Sequence, residues 1–180
     1  MPTDAIRGAG RPEATHQVEM MIDQLAEIGD AILARPPGVT YGTFSKTGAT
    51  MSDGTTVPRN HDGMGAFVGP GGTWRLIRNH EVRNAPGDNR QAVLGPQATK
   101  YDPLGGGGTV TLDYDFHRRR LVRDFVSLNG TIVNCAGGLY LRQMGWITCE
   151  ETAAGPAQGW GRKHGYCFLV PVSADGPVPA

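Results

Sequence analysis

Neither sign of charge predominates in this 180-residue chain: seventeen basic and seventeen acidic side chains cancel. That balance leaves no electrostatic footprint for nucleic acid or for an anionic membrane. No apolar run approaches the ~20 residues that span a bilayer. The first eleven residues hold neither the apolar core of a signal peptide nor an adjacent arginine pair, so the chain as written is expected to stay in the cytoplasm. Cysteine is scarce. Cys135, Cys149 and Cys167 are an odd number without a C-x-x-C spacing, which excludes a disulfide framework. Cys149 and Cys167 read as small apolar residues inside strands. Cys135 is followed by glycines and reads equally as a core residue or as a thiolate ligand or nucleophile. Helical periodicity is nearly absent too. Only 16–33, with Val18, Met21, Ile22, Leu25, Ile28 and Ile32 at i, i+3, i+4 spacing, reads as an amphipathic helix, and Pro36-Pro37-Gly38 ends it.

What the chain does have is glycine and proline, 27 and 13 of them without a collagen period, which favours many turns and short strands. Strands are expected at 39–45, 64–68, 73–78, 109–114, 120–128, 131–135, 145–149 and 166–172. The 69–72 Gly-Pro-Gly-Gly run reads as a hairpin connection, Asn129-Gly130 as a tight turn, and 83–104 as a long loop. The tetraglycine 105–108 lacks the Lys-Ser/Thr of a phosphate loop and reads as a flexible lead into a strand. Arg118-Arg119-Arg120 is a solvated hairpin tip, and His80 and His164 read as surface or hydrogen-bonded residues rather than ligands. Eight or nine short strands with no helix between them predict an antiparallel all-β fold. The organisation follows as a polar segment and helix over 1–38, a β domain over 39–172 and a Gly/Pro-rich tail over 173–180.

Two stretches echo each other across this pattern. His61-Asp62-Gly63 leads through a glycine-containing loop to a Trp-led strand, Trp74 onward, that ends in Glu81. Asn134-Cys135-Ala136-Gly137-Gly138 leads to a second Trp-led strand, Trp146 onward, that ends in Glu150-Glu151. Glu81 and Glu151 lie 70 residues apart, a weak internal repeat. An apolar strand delivering adjacent acids is costly unless the acids meet a cation, although a solvated loop edge is the simpler reading of such a pair.

Several of these runs resemble the bacterial alkaline phosphatases of the PhoX family. They are D-G-T-x-V-P-R-N-H-D-G-M-G-A-F, R-L-I-R-N-H-E, Y-D-P-L-G-G-G-G-T-V-T-L, R-R-R-L-V-R-D-F-V-S-L-N-G-T-I-V-N-C-A-G-G and W-I-T-C-E-E, in matching order. The resemblance implies a β-propeller, of which this chain would supply the first blades, with iron and calcium in its central channel and phosphate esters as substrate. It places an iron ligand on Cys135, acidic metal ligands on Glu150 and its neighbour Glu151, and catalytic contributors near phosphate or calcium on Asn79 and Glu81. His61 and Asp62 fall in a matched motif without an assigned role. It further implies a truncated chain, inactive alone, whose full-length relatives are exported. The alternative from a different class is a non-catalytic β-sheet binding or structural module without metal.

Overall fold

The computed structural model describes residues 37–38, 40–141 and 144–180, and the compact unit runs from Phe44 to Ala180. The amphipathic helix expected at 16–33 lies outside the described residues. Among the described residues, seven strands make two antiparallel sheets. The first takes β1 (His61–Val68), β2 (Trp74–His80), β3 (Gly107–Asp115) and β4 (Arg120–Thr131) in chain order. The second takes β5 (Asn134–Tyr140), β6 (Gly145–Glu150) and β7 (Cys167–Pro171), also in chain order. The only helical turns among the described residues are three-residue 3₁₀ pieces, and none is long and apolar enough to cross a membrane. The described fold is all-β, as expected, and among the described residues the two sheets do not close into a barrel or a propeller ring.

Both faces of the first sheet are buried along most of β2 and β3 and from Asp124 to Thr131 of β4, while β1 is largely exposed. On β2, Leu76 and Ile77 alternate between the two faces. Leu76 joins Met51, Val57, Val93, Val110, Leu112 and Val126 under the 51–57 loop. Ile77 joins Phe67 and Leu128 against Trp146 and Val170 of the second sheet, so one cluster locks the two sheets together. Each such side chain stabilises the fold by about 1.5–3 kcal/mol relative to exposure. Side chains cover the open edge of β4: Asp53 accepts from the Val126 N–H at 2.8 Å, and the Ser52 hydroxyl accepts from the Asp124 N–H at 3.1 Å. Arg75 and Asp113, directly opposed on β2 and β3, form a buried two-pronged pair at 2.7 and 2.8 Å. Arg75 also donates to the carbonyls of Val172 and Ala174, and Val178 packs on the shared cluster, so the C-terminal segment is tied to the sheet.

Three local expectations are corrected. No strand forms over the described part of 39–45. Asn129-Gly130 does not turn: both lie inside β4, where Gly130 takes φ 81° and a Cβ would sit 2.6 Å from the Tyr101 nitrogen. The chain instead breaks at Ile132-Val133. The glycine run 105–108 is buried rather than a loose lead, since a Cβ on Gly105 or Gly108 would lie 2.2 or 2.1 Å from a backbone carbonyl of β4. Close backbone approach, not flexibility, explains those glycines.

Candidate metal centre

The two echoing stretches are two hairpins built alike. In β1–β2 the register slips between His61 and Met64, and in β5–β6 between Asn134 and Gly137, so each first strand opens with a bulge. Each bulge is preceded by a residue in the left-handed region, Asn60 at φ 54° and Val133 at φ 52°. In each hairpin the residue after the second strand bonds back across that point. Glu81 N–H donates to Asn60 at 2.9 Å, and Glu151 N–H donates to Val133 at 2.9 Å. The Val133 N–H reaches the Val82 carbonyl at 3.2 Å, which brings the open ends of the hairpins side by side. A β-branched residue is strained at positive φ, and Val133 carries that strain beside the site.

Bulges re-aim side chains, and here they turn Asp62 and Cys135 toward the same point. Ligand atoms of Asp62, Glu81 and Cys135 all lie within 4.8 Å of one another, with the Cys135 sulfur 3.7 Å from Asp62 Oδ1. Partial burial, then the carboxylates of Asp62, Glu151 and Glu81, push the Cys135 thiol up to about 11. A thiol held protonated by surrounding carboxylates is the electrostatic complement of a cation, which would reverse the effect. Two carboxylates and a thiol, with a third carboxylate alongside, are donors suited to hard cations and to iron. The residues fit a metal. Glu81 is also paired with Arg83, and its carbonyl accepts from Asn60.

Asn79 stands behind this group. Its amide nitrogen donates to the carbonyls of Cys135 at 2.7 Å and Ala136 at 3.0 Å, and its oxygen accepts from the Trp146 indole at 2.9 Å. Fully buried and fully bonded, it shapes the Cys135 bulge. Gly63 completes the fit, because a Cβ there would sit 2.6 Å from the Cys135 carbonyl.

Glu150 faces the other way. One carboxylate oxygen accepts from the Ile132 N–H and meets His164 Nδ1 at 2.7 Å; the other accepts from the N–H groups of Gly165 and Tyr166. His164 Nε2 lies 3.2 Å from Asp102, and all three side chains are buried. Of the residues singled out in the sequence, then, the structure brings together Glu81, Cys135 and Glu151, sets Asn79 against them, and gives Glu150 to a separate network. Asp62 had no role assigned, and its signal was the H-D-G bulge that mirrors N-C-A-G-G. His164 and Asp102 carried no local signal, since their partners lie far off in sequence. On the opposite face of β2, His80 is buried and neutral, lowered to about 3 by burial and then by Arg78, with Nδ1 2.9 Å from the Arg59 carbonyl.

Fold and site together define an all-β protein in which paired hairpins present a mixed carboxylate–thiol centre. The chain belongs to the alkaline phosphatase PhoX family, whose model matches residues 20–172. Comparison with curated proteins and with solved structures returns no match.

Proposed function

We propose that this chain carries the metal-binding part of a phosphate-ester hydrolase, with Asp62, Glu81 and Cys135, and Glu151 beside them, as ligands to iron and calcium. The observation that carries this reading is the meeting of those ligand atoms within 4.8 Å at the open ends of two like hairpins. We read the two sheets, within a phosphatase-like domain over 39–172, as neighbouring propeller blades whose equivalent corners face a common axis. The cations, when bound, supply positive charge that offsets the charge building on phosphoryl oxygens.

The residues of the chain do the rest. Asp62 and Glu81 contribute anionic oxygen, and Cys135 gives up its proton to become a soft donor. Glu151 is placed to receive that proton or to add a further oxygen. Asn79 is a positioning residue: by holding two carbonyls of the bulge it fixes the direction of the Cys135 side chain. Glu150 steadies the loop that follows β6. A phosphate monoester is the natural substrate class.

The test is metal analysis of the purified chain after incubation with iron and calcium, beside Cys135→Ala, Asp62→Asn and Glu81→Gln, followed by assay on a chromogenic phosphate monoester. Each substitution is expected to weaken metal retention by at least the ~10–100-fold typical of losses around a metal site. Metal content that is nil in the parent chain, or unchanged in all three variants, would sink the reading and favour a non-catalytic β module.

A further inference from the structure

Cys149 on β6 and Cys167 on β7 are directly opposed in the antiparallel register. The next pair toward the loop, Glu150 and Tyr166, is joined by the Glu150 N–H to the Tyr166 carbonyl at 3.0 Å. Cys149 and Cys167 therefore occupy a non-hydrogen-bonded position, where facing side chains come closest. Their sulfurs stand 3.1 Å apart, both cysteines are free, and neither is buried: Cys149 is half-buried and Cys167 exposed. Both lie inside strands, as expected, but neither is buried as a small apolar residue would be.

We propose that Cys149 and Cys167 form a reversible cross-strand disulfide, a redox site separate from the metal-binding group and independent of the phosphatase reading. A Cα separation of about 4.5 Å at such a position falls inside the range disulfides use, and closing the bond to about 2.0 Å asks for roughly one ångström of sulfur movement. The oxidant is a small-molecule disulfide. Cys167, the exposed sulfur, attacks one of its sulfurs, and the first small thiol leaves, taking up the proton that Cys167 gave. The Cys149 sulfur then displaces the second small thiol from Cys167, loses its own proton to it, and forms the Sγ–Sγ bond. Two protein thiols are oxidised and one small disulfide is reduced to two thiols.

The bond would join the edge strand β7 to β6 across the segment 150–166. That segment begins with Glu150 and Glu151 and includes His164, so oxidation pins the loop beside the metal-binding group. Cys135 faces the Asp62 carboxylate rather than a sulfur and stays out of the disulfide.

The measurement uses the full chain equilibrated with oxidised or reduced glutathione, quenched in acid, unfolded, alkylated and mapped by mass spectrometry. The thiol titre is expected to fall from three to one, with a Cys149–Cys167 linked peptide and an alkylated Cys135. Hydrogen exchange over 150–171 should slow in the oxidised form. In Cys149→Ser, Cys167 should instead retain a glutathione adduct. All three thiols alkylated after oxidation, a lasting glutathione adduct on Cys167 of the parent chain, or a linkage through Cys135 would each overturn the proposal.

Discussion

Glu150 and Glu151 are neighbours in sequence and opposites in role: Glu150 ends β6 with its side chain buried, and Glu151, the first residue beyond the strand, bonds back to Val133 and leaves its side chain exposed. Glu151 turns toward Cys135, and Glu150 turns inward to His164. His164 sits between two buried carboxylates, so removing it takes one partner from each and leaves them only their backbone N–H donors. His164→Ala is expected to destabilise the fold by about 1–3 kcal/mol in urea unfolding, the usual cost of leaving buried polar groups short of a hydrogen-bond partner. Glu151→Gln should leave the midpoint nearly unchanged. Asp102 adds a pH dependence. Burial works upward on its carboxyl, but the Leu104 and Arg162 N–H groups and His164 outweigh it and hold the carboxyl below its ordinary range. With the folded value below the unfolded one, its contribution is complete above the unfolded carboxyl value of about 3.9 and is lost as pH falls through the folded value. Asp102→Asn should therefore be less stable than the parent chain at pH 6, and the gap should narrow below about pH 4. A gap that holds constant into acid would refute this.

At the scale of elements, the unit that matters is the bulged hairpin, used twice. Each copy delivers one candidate ligand from its bulge, Asp62 or Cys135, and one glutamate from just beyond its second strand. The copies meet because glycine lets them: Gly63 of β1 lies against the Cys135 carbonyl, and Gly65 lies where a Cβ would be 2.6 Å from the Trp146 ring. Gly63→Ala forces the bulges apart without touching a ligand. It is expected to weaken metal binding at least tenfold, measured by titration, while the far-UV spectrum stays that of a β protein. Unaltered affinity would show that the close approach is dispensable. The repeat was visible in the sequence as Trp-led strands ending in acid. Its bulges were not, because a one-residue slip in pairing depends on the partner strand rather than on either strand alone.

For the whole molecule, the cluster of Phe67, Ile77, Leu128, Trp146 and Val170 is what makes two sheets one unit. Trp146 serves the core with its ring and the site with its indole N–H, which donates to Asn79. Trp146→Phe keeps most of the apolar volume but leaves the buried Asn79 oxygen without that donor. The expected cost is about 1–3 kcal/mol, together with weaker metal retention as Asn79 loosens its hold on the Cys135 bulge. Circular dichroism and near-ultraviolet probes should report one coincident transition, since both sheets share the cluster. Separate transitions for the two sheets would contradict a shared core.

The sequence by itself determined the all-β class, the 69–72 hairpin connection, the Trp-led strands that end in acid, and the family. These rest on local alternation, on turn chemistry and on runs of consecutive residues, all of which are present in the chain before it folds. Only the tertiary structure decided that Glu151 rather than Glu150 turns to the thiol and that Asp62 joins it. It also decided that His164 is enclosed by Asp102 and Glu150, and that Cys149 meets Cys167 instead of entering the core. Each of those outcomes depends on which strand packs against which and in what register. That register is set by burial of the shared apolar cluster and by close backbone contact at glycine, and neither is written in any single segment.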